Sequence, residues 1–308
     1  MTTDVTLLAG LDIGGTKCAV VLGDVEGRVA ERDEWPTAVE RGPAAIIGDA
    51  LDRLHRLLSG RNPAAALGVS IGGPLDVEAG VVLGPPNLPG WDRVPLRQEL
   101  VEALGLPVAV EHDAAACALA EHRWGVGRGA SRLGFLTCGS GFGLGLVIDG
   151  EPYHGAGGRS IELGHVRYRD DGPTAFGKQG SFEAFGAGNS LPRLAAWAFP
   201  ERWTADPPRG EVLSALAEEG DAEARSVIEA NAEAVGDACA LLGDLLGLEV
   251  IALGSLGRYL GAAWLASVRR RFEAQVLENV ARTCRVELAG LGERLQDCAT
   301  LAVAALLL

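Results

Sequence analysis

Apolar residues recur along this chain with two different periods, and the period sorts the segments. Residues 7–12 and 17–22 are short apolar runs of strand length. A turn over 24–27 leads into a third run at 28–35. Together they predict an N-terminal meander with a glycine turn between its first two strands. Pro43–Leu58 changes to helical spacing, with Ile46, Ile47, Leu51, Leu54 and Leu58 on one stripe. Residues 66–71 and 107–110 read as buried strands, the first running into Gly72-Gly73-Pro74 and the second into Glu111-His112-Asp113. The alanine-rich stretch 114–124 reads as a helix.

The meander then recurs. Apolar runs at 133–138 and 143–148, a glycine turn between them, an Asp149-Gly150 turn and a run at 151–154 repeat the N-terminal layout. Aligning Gly14 with Gly139 sets Asp24 opposite Asp149, so a whole supersecondary unit is echoed in register. That predicts a duplicated α/β architecture in which two lobes each offer a glycine hairpin to a shared cleft. Helices are expected over 189–198, 211–216, Ala222–Leu246, 261–279 and 293–308, with a strand at 248–253 before a further glycine turn at Gly254. The expected lobes are 1–113 with 293–308, and 114–292.

Composition narrows the function classes. Of 308 residues, 48% are apolar and 22% charged, enough for two sizeable cores. A formal charge of −14 argues against nucleic acid as a partner. The first five residues carry no basic, apolar leader pattern, and no stretch has the length of a membrane span. Six cysteines stand singly in apolar surroundings, as reduced buried thiols do, so a cytoplasmic protein is expected.

The chemistry concentrates at the turns. Glycines between strands let backbone N–H groups face an anion without a Cβ in the way. Asp12 could hold Mg²⁺ through water, while Gly14, Gly15, Thr16 and Lys17 could meet phosphate oxygens. Thr137, Gly139, Ser140 and Gly141 form the second such turn, and Gly254 a third. Either turn alone is also what an ordinary glycine hairpin looks like; two in register are not. Asp113 opens a helix, so it is either an N-cap or a base positioned to accept a hydroxyl proton. Glu162 and His165, three apart, share one side of a helical turn, where they could grip vicinal hydroxyls, face solvent or bind a metal. Asn87 alone would be a turn residue.

Together these segments resemble the ROK family (repressor, open reading frame, kinase), in particular its bacterial glucokinase-like members. The residues carrying the likeness are Leu11-Asp-Ile-Gly-Gly-Thr-Lys17, Ile71-Gly-Gly-Pro-Leu-Asp76 and Asn87-Leu-Pro-Gly-Trp91. Glu111-His-Asp-Ala114, Thr137-Cys-Gly-Ser-Gly141 and Glu162-Leu-Gly-His165 continue it. The resemblance implies an actin-like ATPase (ribonuclease H-like) fold and an ATP- and Mg²⁺-dependent hexose kinase, with glucose phosphorylated at the 6-hydroxyl. It implies Asp113 as base; Gly73, Asn87, His112, Glu162, His165 and Glu183 as sugar contacts; and a homodimer. Asp12, Gly14, Thr16, Thr137, Gly139 and Gly254 would meet nucleotide or metal.

Two departures stand out. His112 replaces the family's usual Asn before the base, which opens the identity of the sugar. The family's zinc site joins the His of Glu-x-Gly-His to three downstream cysteines, and here those positions hold Thr174, Phe176 and Ser181. No zinc is expected, and the loop is expected to be held by Phe176 and Phe182 packing inward. Kinases of fructose, mannose, N-acetylmannosamine or N-acetylglucosamine, a polyphosphate donor, a non-catalytic sugar sensor and a repressor are the alternatives.

Overall fold

The computed structural model describes residues 6–308; the first five, read above for a leader, lie outside the described residues. Contacts group the chain into two units: Met1–Gly129 with Gly145–Ile161 and Gly290–Leu308, and Ala130–Leu144 with Glu162–Ala289.

The chain begins β1 (Leu7–Ile13), β2 (Lys17–Asp24), β3 (Val29–Pro36), α1 (Pro43–Leu58) and β4 (Leu67–Ile71). It continues with β5 (Leu75–Asp76), β6 (Val81–Leu83), β7 (Asp92–Val94), α2 (Leu96–Leu104), β8 (Val108–His112) and α3 (Asp113–Trp124). Next come β9 (Arg132–Leu136), β10 (Leu144–Ile148), β11 (Glu151–Pro152), β12 (Thr174–Ala175), β13 (Lys178–Gln179) and α4 (Phe182–Gly186). The helices α5 (Leu191–Ala198), α6 (Pro200–Trp203), α7 (Gly210–Glu218) and α8 (Ala222–Leu246) follow. The chain closes with β14 (Val250–Leu253), α9 (Leu256–Gln275), α10 (Glu278–Ala281), β15 (Arg285–Leu288) and α11 (Leu295–Ala304).

Two five-stranded sheets result, in the orders β3-β2-β1-β4-β8 and β11-β10-β9-β14-β15. The echo in the sequence is therefore an echo in topology. Each sheet has an antiparallel meander joined to two parallel strands, which need a crossover between them.

Alternation along β1 sends Ala9, Leu11 and Ile13 to one face, where they pack with Ile46 and Leu54 of α1. Leu8 goes to the opposite face, against Val21, Ala66 and Leu301 of α11. Side chains of this size, fully buried, stabilise by ~1.5–3 kcal/mol each. The approach of α11 is close enough to require a missing side chain at Gly68: a Cβ there would sit 2.0 Å from the Thr300 carbonyl oxygen.

In the second unit α8 starts where Asp221 accepts the N–H groups of Glu223 and Ala224, and ends at left-handed Gly247. The helix expected from Gly261 begins earlier, at Leu256, and is kinked at Gly261, whose φ of 72° is not helical. The glycine is a break inside a helix rather than its edge.

Candidate functional site

The first unit gathers its candidate residues at the C-terminal ends of β1, β4 and β8. Asp12 is in register with Ser70, and Ser70 with Glu111, one row across three strands. His112 ends β8 and Asp113 opens α3. Asp113 is not the N-cap, a position held by His112. Its Oδ1 accepts the adjacent Ala114 N–H at 2.7 Å, and 46% of its side chain is open.

Asp12 carries the main electrostatic penalty of this region. Burial of its carboxyl, followed by the nearby charge of Asp113, pushes its pKa up to about 7. The Ser70 hydroxyl faces that carboxyl without a well-formed hydrogen bond, and part of Asp12 stays open to solvent. A cation beside Asp12 would remove the penalty, so the residues fit a bound Mg²⁺.

The first glycine turn is closed by Gly14 N–H donating to Lys17 O at 3.0 Å and is tied from behind by Thr37, whose hydroxyl donates to Gly14 O at 2.6 Å. A Cβ on Gly15 would lie 2.9 Å from both Cβ and O of Asn87, so the turn and Asn87 are in contact. Thr16 is exposed. Lys17 is engaged elsewhere, with its Nζ 2.8 Å from Glu34 on β3. Gly73 lies under the His112 ring: an added Cβ would be 2.8 Å from His112 Cδ2 and 3.3 Å from Ser160 Oγ. The buried His112 Nδ1 lies 3.4 Å from Asp113 Oδ1 without a hydrogen bond.

The second unit brings its own set together. Thr137 closes the second turn, its hydroxyl accepting Gly143 N–H at 2.7 Å. Gly254 N–H donates to Leu136 O at 2.8 Å, which sets the third glycine turn beside Thr137. Next to Gly139 opens a cavity of about 470 Å³, lined by Gly188, Asn189, Arg209, Ser255, Tyr259 and their neighbours. That size suits a nucleoside-sized ligand. Ser140 is exposed, and Gly141 abuts Glu183, whose Oε2 would lie 3.1 Å from an added Cβ.

Glu183 Oε2 accepts Phe142 N–H at 3.1 Å, while Oε1 is buried with no hydrogen-bond partner. Burial raises the Glu183 pKa, opposed by the Phe142 N–H. Glu162 precedes the 3₁₀ turn Leu163–His165, so the pair shares a single turn as expected. Glu162 and His165 both act electrostatically on Glu183, so the three form one cluster.

One packing expectation is corrected. Phe182 is buried, but Phe176 is 55% exposed at a φ of 44°. It occupies the tip between β12 and β13, where a side chain points away from the unit. Thr174 lies in β12, and Ser181 caps α4 by accepting Ala184 N–H at 3.3 Å.

Sequence reasoning missed Glu111 paired with His154, Ser160, and the cavity residues Asn189, Arg209 and Tyr259. Adjacency to Asp113 was a signal for Glu111. The cavity residues come from three separated segments with no shared motif.

Comparison with known proteins agrees with this arrangement. A glucokinase of Halalkalibacterium halodurans is 31% identical over 92% of this chain and 90% of its own. The ROK hexokinase of Thermus thermophilus superposes with a TM-score of 0.85 at 31% identity, over 97% of this chain and 98% of its own. A Streptomyces griseus ROK glucokinase, solved with glucose and AMPPNP, gives 0.78 at 29% identity over 97% and 98%. The fold is thus the actin-like ATPase fold. The model of the ROK family matches residues 8–306, and the chain belongs to that family.

Proposed function

We propose that this protein is an ATP-dependent hexose kinase, a glucokinase acting on the 6-hydroxyl, with Asp113 as base. The observation carrying the reading is the pair Asp12 and Asp113, two carboxylates on the same edge of one sheet, at the ends of β1 and β8 with β4 between, in different surroundings. Asp12 is packed in and held at a pKa of about 7, a penalty that a cation relieves. Asp113 is about half open and can reach a substrate hydroxyl. The glucokinase and hexokinase relatives support the same chemistry.

Bound MgATP would supply the phosphoryl group and a cation that offsets negative charge. Within the first unit Asp12 would hold that cation through water and Gly14, Gly15 and Thr16 would face phosphate oxygens; the second unit, taken by itself, would meet the nucleotide at Thr137, Gly139, Ser140, Gly141 and Gly254. Lys17 would have to leave Glu34 to join them. Asp113 takes the proton of the sugar hydroxyl as its oxygen bonds to the γ-phosphorus. The bond from that phosphorus to the β,γ-bridging oxygen breaks, and ADP leaves with the electron pair. Gly73, Asn87, His112, Glu162, His165 and Glu183 would orient the sugar. The unpartnered Glu183 Oε1 is suited to accept a sugar hydroxyl. A homodimer in the cytoplasm extends the same resemblance.

His112 favours a second reading, a kinase for another hexose or N-acetylhexosamine, because its ring fills the space over Gly73. ADP release measured across a hexose panel decides. Glucose should give the highest kcat/KM; turnover with no sugar overturns the kinase, and a different best sugar overturns glucose alone.

A further inference from the structure

The family's zinc would sit beside His165, and the residues here do not fit it. The cysteine positions hold a hydroxyl, a phenyl ring and a capping serine. Among the described residues, no group of three or more His, Cys, Asp or Glu is placed to hold a metal. Yet the excursion from Val166 to Ser181 joins His165 to Glu183, two of the proposed sugar contacts. Something must hold it in place.

The excursion folds back on Gly180, whose carbonyl accepts the N–H groups of Tyr168 and Arg169 at 2.8 and 2.9 Å. Tyr168 then carries the excursion onto the body of the unit. Its ring stacks on Phe182 at 4.9 Å between centroids and meets the edge of Phe185 at 5.3 Å. The Arg169 guanidinium covers the same ring at 5.0 Å. The Tyr168 hydroxyl donates to Asp237 Oδ2 of α8 at 2.7 Å. Arg271 of α9 grips that carboxylate through both arms, Nε at 2.6 Å and Nη2 at 2.9 Å. Asp237 is 15% exposed, so solvent screens the network weakly.

We propose that Tyr168, Asp237 and Arg271 are positioning residues that replace a metal as the fastening of the 166–181 excursion and thereby set Glu183 toward the sugar. The path to Glu183 is short. Phe182 precedes it and stacks on both Tyr168 and Phe142, and the Phe142 N–H donates to Glu183 Oε2. Burial raises the Tyr168 pKa, which keeps the phenol a donor at neutral pH. A phenol–carboxylate–guanidinium chain has direction, so it fixes the excursion's angle as well as its distance.

The inference rests on the sugar-kinase reading, so its test uses glucose binding and hydrogen exchange beside activity. Tyr168→Phe keeps the ring stack and removes the hydrogen bond to Asp237 together with the longer one accepted from Arg169; Arg271→Lys keeps the charge and removes the two-armed grip. Each should weaken glucose binding by calorimetry about tenfold and speed amide exchange over 166–181, with ATP KM within twofold of wild type. Arg270→Ala, which removes an exposed ion pair to Glu229 and a hydrogen bond to Ser267 outside this network, should change none of these. Dialysis of the wild type against a zinc chelator, followed by Mg²⁺, should leave glucose affinity intact. Two results overturn the proposal: a lower melting temperature with unchanged glucose affinity and exchange in both variants, or affinity lost to the chelator and restored by zinc. Glucose binding without ADP release would sink the kinase reading and leave this test standing.

Discussion

Glu111 Oε2 and His154 Nε2 lie 2.8 Å apart, a hydrogen bond between the end of β8 and the turn that follows β11. Glu111 is buried, and its Oε1 accepts the His112 N–H at 2.8 Å, one residue from the proposed base. His154 begins a turn closed by Gly155 N–H donating to Arg159 O, and that turn delivers Ser160 to the Gly73–His112 contact. The bond thus braces both sides of the corner proposed to face the sugar.

Removing the His154 donor leaves a buried carboxylate short of a partner, a loss of about 1–3 kcal/mol. His154→Leu should therefore lower the melting temperature and cut kcat, while His154→Gln, which keeps an N–H donor, should recover part of both. The hydrogen bond to Glu111 raises the His154 pKa in the folded protein. The sign follows from linkage: this stability is fully present below the unfolded value near 6.5 and is lost as pH rises through the folded value. Wild type minus His154→Gln, followed by thermal unfolding from pH 6 upward, should shrink with pH.

At Asp12, by contrast, the proposed role costs stability. Its folded pKa, about 7 against 3.8, means that its contribution declines as pH rises from about 4 through 7. With solvent reaching part of the residue, ~2 kcal/mol is the scale of the cost at pH 7.5. Asp12→Asn should melt higher than wild type at pH 7.5 without Mg²⁺, match it near pH 4, and show less than a hundredth of its turnover. Equal melting at both pH values would contradict the burial argument.

The crowding at Gly73 predicts a rescue. Gly73→Ala drives a methyl into the His112 ring and should raise hexose KM about tenfold. Replacing the ring in Gly73→Ala/His112→Asn should restore most of that affinity, measured as KM for the best sugar. Additive losses would show that the two residues do not share the space.

Glu183 should act on the sugar rather than the nucleotide. Glu183→Gln weakens the bond to Phe142 N–H and places an amide where an acceptor is unsatisfied. Hexose KM should rise at least tenfold with ATP KM within twofold, by initial rates; the reverse pattern would move Glu183 to the donor side.

Much of this was legible in the chain because local period and tertiary burial agree. Pro43–Leu58 is a helix with Ile46, Ile47 and Leu54 buried, as its stripe predicts. Ala222–Leu246 also keeps its predicted ends, set by the Asp221 cap and Gly247. The sheet β5-β6-β7 was not legible, since strands of two or three residues carry too little alternation to register. Edge strand β15, Arg-Val-Glu-Leu, was also missed: unlike the equally short β14, which is apolar throughout, half of its side chains are charged. Phe176 misled because an aromatic in a loop reads as an anchor, while its positive φ at a hairpin tip points it outward. The cavity beside Gly139 is assembled from residues as far apart as Asn189, Arg209 and Tyr259, a proximity made by folding alone.

The central claim is that Asp113 removes the proton from the sugar hydroxyl. The most direct measurement is steady-state phosphorylation of glucose by Asp113→Asn, beside its thermal unfolding. The variant should unfold within about 2 °C of wild type, hold its ATP KM, and lose about 10³-fold in kcat. A kcat within tenfold of wild type in a folded variant would contradict the assignment.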